Sequence, residues 1–502
     1  MELRGAATLF LAACISCLIF LWKRKQKQQT SKLPPGPTPL PLLGNVLQLS
    51  RTHLFKSLVT LGEKYGPVFT VYLGSRRVVV LCGHEAVKQA LVDHGEVFGG
   101  RGRMPTLDRI FHGYGVIFAN GERWKQLRQF SIMTLRNFGM GKRSLEERIT
   151  EEAQCLVEEI RKTKGSPFDP SHPIGHAIAS VLSAITFGQR FDYQDEKFAH
   201  IIDAIQDLFL ELTFRFPALS PTFPAQLYEM FPGIMQFLPG PHNRILKDVK
   251  VLHDFVTERV QMNQETLDPS CPRDYIDSFL IKMEEEKQNP QSEFHTKNLV
   301  LSAVHLFFGG TEMVSSTLRY GFLLLMKYTE IQGKVQEEID HVIGKNRSPA
   351  TEDRSQMPYT HAVIHEIQRF SNIIPLGIPH AVIQDTQFRG YTLPKGTDVF
   401  CLLGSALQDP QHFINPEDFD PRNFLDENGS FKKNNAFVAF SSGKRMCLGE
   451  GLARMELFLV FTSVLQHFTL KSPINPQEID LTPKASGFWH VSPRYKLCAH
   501  PR

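Results

Sequence analysis

The stretch FSSGKRMCLGEGLARMELFLVF (440–461) places a single cysteine, Cys447, between a glycine-rich turn and an apolar helical pattern. A thiol stays ionised only beside positive charge and hydrogen-bond donors. Gly443 and Gly449 permit a tight turn that aims backbone N–H groups at the sulfur. A helix beginning near Leu448 turns its positive dipole end toward the same point. Lys444 and Arg445 add charge. The chemistry on offer is a stabilised thiolate, acting as a ligand to a cofactor metal or as a nucleophile. A nucleophile ordinarily needs a nearby base; a metal ligand needs none.

Three further constellations could do chemistry. The run LVLSAVHLFFGGTEMVSSTLRYGFLLLMKY (299–328) would span roughly 45 Å as one helix and is apolar on most sides. Glu312 and Arg319 would each be costly in lipid, so a central core helix is expected. Gly309 and Gly310 interrupt it where each weakens a helix by ~1 kcal/mol, with Glu312 just beyond. Either the glycines leave a notch for a ligand, or they allow tight helix packing with Glu312 at the surface. Glu366 and Arg369 stand three residues apart on another helical pattern; alone, such a pair reads as a surface ion pair worth tenths of a kcal/mol. Trp124 and Arg128, in GERWKQLRQF, are four apart and could offer an indole N–H and a guanidinium to one anion.

The elements around these residues follow an uneven order. VFTVYLG and RRVVVLCG (68–83) read as two strands about a Gly-Ser turn. Helical patterns then dominate: SLEERITEEAQCLVEEIRK (144–162), opened by Ser144 with Glu147 at capping-box spacing, then IQGKVQEEIDHVIG (331–344) and MPYTHAVIHEIQRF (357–370). Strand signals return at 388–403, before a last helix. This predicts a mainly α domain with a smaller, segregated β region. Residues 214–245 alternate proline and phenylalanine and read as a partly exposed lid that touches a membrane or a hydrophobic ligand path.

The 502 residues, 42% hydrophobic and 22% charged, are ordinary for one large globular domain and exclude a disordered or fibrous chain. With 56 basic against 52 acidic residues, no nucleic-acid partner is implied. Residues 5–22 carry no charge and are followed by Lys23, Arg24, Lys25 and Lys27, which predicts a transmembrane signal anchor with the body of the chain on the cytosolic side. Residues 23–45 then read as a basic stop-transfer and a stiff, proline-rich hinge, with a catalytic domain over 46–502. Eight scattered cysteines in a reducing compartment argue against a disulfide framework, and neither a CxxC pair beyond Cys14 nor a zinc spacing occurs.

The pattern Phe440-x-x-Gly443-x-Arg445-x-Cys447-x-Gly449 resembles the haem-binding loop of the cytochrome P-450 superfamily, the haem-thiolate monooxygenases. The other signals fall in that family's order along nearly the whole chain. The resemblance is greatest to the microsomal family-2 enzymes of vertebrates, through the proline hinge, WKQLR, FGMGKRSLEERI, PYTHAVIHEIQRF and ARMELFLVFTSVLQ. It implies a haem b held by Cys447 as axial thiolate, the ExxR brace in Glu366 and Arg369, and haem-propionate partners in Arg101, Trp124, Arg128, His380 and Arg445. It implies an acid at Glu312, and a basic face of Lys125, Arg136, Lys444 and Arg454 that docks an NADPH-dependent flavin reductase, with a b-type cytochrome as a further partner. Substrate positions would be Met104, Phe111, Ile117, Phe118, Phe209, Phe308, Gly309, Ile374, Ile378 and Phe488. These are almost all apolar, as a small lipophilic xenobiotic, steroid or fatty acid would require. The setting implied is the endoplasmic reticulum membrane.

Two positions depart from that family's pattern. A threonine usually follows the acid and takes part in proton delivery during oxygen activation; here the residue is Met313, a weak acceptor with no proton to donate. Thr311 lies about 200° away around the helix and is no simple substitute. Slower, leakier oxygen activation is expected, with a peroxide-driven or isomerase-type enzyme, or a lipophile-binding protein, as the other readings. The second departure is Asn423, where the family has Arg or His closing the ExxR network; weaker haem retention is expected.

Overall fold

The computed structural model describes residues 33–502 apart from 51–52, 141–142, 216–229, 239, 241, 484 and 487. The anchor predicted at 5–22 and most of the predicted lid lie outside the described residues.

Among the described residues, eleven longer helices carry the body: α1 (Leu54–Tyr65), α2 (Gly121–Asn137), α3 (Arg143–Lys162), α4 (Ser171–Phe187), α5 (Glu196–Arg215), α6 (His242–Glu265), α7 (Tyr275–Glu285), α8 (Thr296–Lys327), α9 (Thr329–Val342), α10 (Pro358–Ser371) and α11 (Glu450–His467). The strand regions are short and set apart in a mainly helical body, as expected, but the order differs from the one read from the sequence: α1 precedes the first strand, and four short strands between Phe468 and Pro501 follow α11. Helix α3 begins at Arg143, so Ser144 lies inside its first turn rather than capping it. Its apolar residues recur on one face: Leu145, Ile149, Ala153, Leu156, Val157 and Ile160 are all buried, and α3 packs on α11.

Helix α8 is the axis. Its N-terminus is capped by His295, whose ring accepts the Asn298 N–H. It packs against α4, α6, α10 and α11, and residues along its whole length are buried. It is long and apolar enough to cross a membrane, but the most apolar window is 78% buried in the body, which makes it a core helix.

The main sheet has five strands in the order β1 (Val68–Leu73), β2 (Arg76–Leu81), β7 (Asp398–Cys401), β4 (His380–Ala381), β3 (Gly100–Arg101). The β1–β2 hairpin is antiparallel, with Val68 opposite Leu81. β2 runs parallel to β7, which joins two segments more than 300 residues apart. Small two-stranded pairs complete the β structure: β5 (Thr386–Phe388) with β6 (Tyr391–Leu393), β8 (Phe468–Lys471) with β11 (Cys498–Pro501), and β9 (Ala485–Ser486) with β10 (His490–Val491).

The described part of the proline-rich segment does not stand off from the body. Thr70 donates its N–H to Pro35 at 2.7 Å and its hydroxyl to Pro34 at 2.9 Å. The fully buried Asn45 exchanges bonds with Tyr72, N–H to carbonyl at 2.6 Å and side-chain oxygen from N–H at 2.7 Å. The prolines lack N–H groups but keep carbonyls, and these finish the outer edge of β1.

Candidate active site

A cavity with about 320 Å³ open to the centre of a water molecule lies between α8, the cysteine loop and the β3–β4 edge. Cys447 forms part of its wall. Its sulfur faces this internal space, so the residue is solvent-accessible though deep in the body. The loop folds back on itself, with the Cys447 N–H donating to Phe440 O at 2.9 Å. Gly443 makes the fold-back possible. Its φ is +68°, and a Cβ there would sit 1.7 Å from the carbonyl oxygen of Leu91. Helix α11 starts at Glu450, two residues later than the pattern suggests, and the N–H groups of Gly449 and Glu450 point at the sulfur. Burial pushes the thiol pKa up; those two N–H groups and the Arg128 charge pull it back. A bound metal would settle the balance in favour of thiolate.

The opposite chemistry gathers at one edge of the cavity. β3 pairs Arg101 directly with His380 on β4, so one sheet register supplies two of the expected partners. Arg101 is fixed by a bond to Ile117 O at 3.0 Å, and His380 donates from Nδ1 to Phe98 O at 2.8 Å. Arg445 bonds Gly99 O at 2.8 Å and Ala119 O at 2.9 Å, and stacks on Trp124 at 3.9 Å. Arg128, one turn along α2 from Trp124, donates to Met446 O at 2.6 Å. All five residues line the cavity. Desolvation lowers the pKa of Arg101 to about 10, of Arg445 to about 8 and of His380 to about 3. Among the described residues no carboxylate pairs with Arg101, Arg128 or Arg445, and Arg445 Nη1 is buried without a partner. Such a cluster fits an anionic group that enters the cavity, because buried cations need a counter-charge. A soft sulfur ligand on one wall and carboxylate-binding guanidiniums at its edge fit haem and its propionates.

The brace behind this cavity is not on the surface. Glu366 and Arg369 are both fully buried and paired bidentately, at 2.7 Å on each arm. Arg369 also donates to the carbonyls of Leu407, Pro416 and Asp418 at 3.1, 2.8 and 2.7 Å. Glu366 accepts the Asp420 N–H at 2.8 Å. Asn423 reaches Glu366 only at 3.4 and 3.5 Å, while its oxygen accepts the Ile414 N–H at 2.7 Å. In sequence this pair is indistinguishable from a surface pair, because the carbonyls that complete it come from residues 407–418.

The glycine pair in α8 divides between the two expected roles. Gly309 borders the cavity with nothing nearer a notional Cβ than Ile117 at 3.8 Å, whereas Gly310 is pressed against Leu182 of α4. Met313 lines the cavity; Thr311 and Glu312 do not. Glu312 is buried beside Arg319 on the same helix, ion-paired with it, and accepts the Ser316 hydroxyl at 2.8 Å. Of the apolar positions expected around a substrate, Phe111, Ile117, Phe118, Phe308, Gly309, Ile374 and Ile378 line the cavity. Met104, Phe209 and Phe488 are buried outside it, with Phe209 and Phe488 packed on Trp489, which does reach the wall. Of the basic face, Lys125 and Lys444 are exposed and paired with Glu122 and Glu96, each at 2.6 Å. Arg136 is exposed at the end of α2, and Arg454 is half-buried, paired with Glu450 at 2.8 Å.

Sequence reasoning missed several wall residues: Leu182, Val116, His305, Thr317, Gln368 and Glu456. His305 carried a usable signal, being a lone histidine one helical turn before Gly309 in an apolar run. Glu456 carried none; it is a buried acid whose pKa burial pushes well above the usual carboxylate range.

A thiolate loop on one wall, desolvated arginines at its edge and a buried ExxR brace are the arrangement of a haem-thiolate protein. The profile of the cytochrome P450 family matches residues 34–499. The chain is 58% identical to cytochrome P450 2G1 of Oryctolagus cuniculus over 500 residues, and 54% identical to cytochrome P450 2A13 of Homo sapiens over 498, covering 99% of each chain in both cases. The chain belongs to the cytochrome P450 family. Within it, the chain is a family-2 monooxygenase of the vertebrate kind, an oxidoreductase with haem as cofactor.

Proposed function

We propose that this chain is a membrane-anchored monooxygenase that receives NADPH-derived electrons from a flavin reductase and inserts one oxygen atom of O2 into a small lipophilic substrate. The observation that carries the reading is the shared cavity of Cys447 and the three carboxylate-free arginines. Cys447 would hold haem iron, and Arg101, Trp124, Arg128, His380 and Arg445 would hold its propionates. Haem with a thiolate ligand supplies reductive activation of O2, with the sulfur favouring O–O cleavage. The chain's own residues then do the rest. Phe111, Ile117, Phe118, Phe308, Ile374 and Ile378 exclude water and bind the apolar substrate. Gly309 leaves the space into which it fits. The contact with Arg319 ties the Glu312 side chain down within α8, off the cavity wall, so proton supply relies on water beside Met313.

Lys125, Arg136, Lys444 and Arg454 form the docking face for the acidic reductase, and residues 5–22 anchor the chain in the endoplasmic reticulum membrane with the domain on the cytosolic side. Xenobiotics, steroids and fatty acids are all compatible substrates. Met313 favours a second reading, a peroxide-driven or isomerase-type enzyme that needs no reductase. The test is substrate turnover by the haem-loaded protein with NADPH and reductase. Product in step with NADPH consumption is expected. Equal turnover without either would overturn the monooxygenase reading in favour of the second.

A further inference from the structure

Strands β2 and β7 run parallel, with Leu81 beside Cys401, so the chain leaves both at the same end of the sheet. Two turns far apart in sequence are thereby set side by side. After β2 come Gly83, with a φ of +84°, and the short helix His84–Lys88; after β7 come the short helix Leu403–Leu407 and the turn that carries His412. Hydrogen bonds join the two. Gly83 donates its N–H to Ser405 Oγ at 2.7 Å, and His84 donates its N–H to Asp409 Oδ2 at 3.3 Å. Asp409 also accepts the Gln411 N–H at 2.9 Å, and its carbonyl accepts the His412 N–H at 3.0 Å, which fixes the backbone under His412.

One ring nitrogen of His84, one of His412 and a carboxylate oxygen of Glu85 lie within 4.8 Å of one another. The two imidazoles meet edge to face, 4.6 Å between centroids. His84 is only 4% exposed, and its Nδ1 is buried with no hydrogen-bond partner among the described residues. Packing alone does not account for that atom, since an apolar ring of the same shape would leave nothing unpaired. Glu85 is exposed and His412 half-buried, so the group opens to solvent on one side. None of the three borders the cavity of Cys447.

We propose that His84, Glu85 and His412 form a binding site for one divalent transition-metal ion of the zinc class, which clamps the turn after β2 to the turn after β7. Two imidazoles and one carboxylate suit zinc, with water in the fourth position; magnesium and calcium take shells of oxygen. Ligand atoms around tetrahedral zinc stand about 3.3 Å apart, and rotation of the exposed Glu85 and half-buried His412 side chains closes the remaining gap. His84 is the anchor, because its ring is already desolvated and little further order is needed when the ion binds. The clamp acts on segments that support the cysteine loop. The helical chain from His84 runs on through Leu91, whose carbonyl lies against Gly443, and the stretch after β7 supplies Leu407 O and Pro416 O to Arg369. The ion therefore stabilises the folded protein without entering the cavity.

The test uses full-length, haem-loaded protein without a polyhistidine tag, stripped by chelator and dialysed against Zn2+ alone, with bound zinc counted against haem iron. The parent should retain one zinc per chain more than His412→Ala. Glu85→Gln should hold that ion at least about tenfold more weakly, since losing a direct ligand costs no less than losing a residue that orients one. Zn2+ should raise the unfolding temperature of the parent and not that of His412→Ala, and Mg2+ should raise neither. In the unaltered protein, X-ray absorption at the zinc edge should show the outer-shell scattering of two imidazoles and no sulfur, a readout that needs no variant to fold. Equal zinc content and affinity in the parent and in His412→Ala that still binds haem, or a sulfur-ligated ion in the parent, would overturn the proposal. None of these readouts depends on turnover, so the outcome is separate from that of the monooxygenase reading.

Discussion

Gly310 of α8 abuts Leu182 of α4 so closely that a Cβ at position 310 would lie 2.7 Å from Leu182 Cδ1. Its neighbour Gly309 has nothing within 3.8 Å and opens on the cavity. Gly310→Ala should therefore destabilise the fold by about 1–3 kcal/mol through overpacking. Gly309→Ala should hold stability or raise it, by up to ~1 kcal/mol of helix propensity, while weakening the binding of bulky ligands. Denaturant melts and ligand titrations of the two variants check the contrast; equal destabilisation would refute it.

The Glu366–Arg369 pair is a buried charge system, so removing one partner strands the other. Arg369→Ala should cost about 3–5 kcal/mol and give haem-poor protein. Arg369→Lys should not rescue it, because an ammonium cannot serve the carboxylate and three carbonyls from one planar fork. Asn423→Ala should do less to Glu366, whose contacts with Asn423 are 3.4 Å or longer. Haem content and unfolding midpoints measure the order expected.

Gly443→Ala combines a positive φ with a 1.7 Å clash against a backbone oxygen. The loop holding Cys447 cannot keep its path, and the reduced protein under carbon monoxide should lose the long-wavelength absorption band that thiolate ligation produces. A normal band in this variant would show that the turn is not what presents the sulfur.

Met313→Thr tests the departure in α8. Restoring a hydroxyl beside the cavity should raise product formed per NADPH and lower peroxide release. If both stay as they were, Met313 does not limit proton delivery.

Much of the site was legible in the chain because it is local. The cysteine, its glycines and the helix that follows lie within a dozen residues, so spacing alone announced a thiolate turn. The 32-residue apolar helix was legible for the same reason, and Glu312 and Arg319 within it argued for a core rather than a bilayer. Other features were not. Glu366 and Arg369 read as a surface pair because the carbonyls that bury them arrive from residues 407–418. Met104, Phe209 and Phe488 are as apolar as the residues that do line the cavity, and only their packing keeps them from it.

Sequence by itself determined the kinds of chemistry available here: a lone thiol in a basic, glycine-rich turn, a helix broken by two glycines, and an ordered set of motifs. Tertiary structure decided which groups share a space. The Arg101–His380 register, the capture of Arg445 by Gly99 and Ala119, and the division between Gly309 and Gly310 all depend on contacts between segments far apart in the chain. Burial and hydrogen-bond partnership are properties of the packed chain, and they turn an ordinary arginine into a buried cation with no carboxylate beside it.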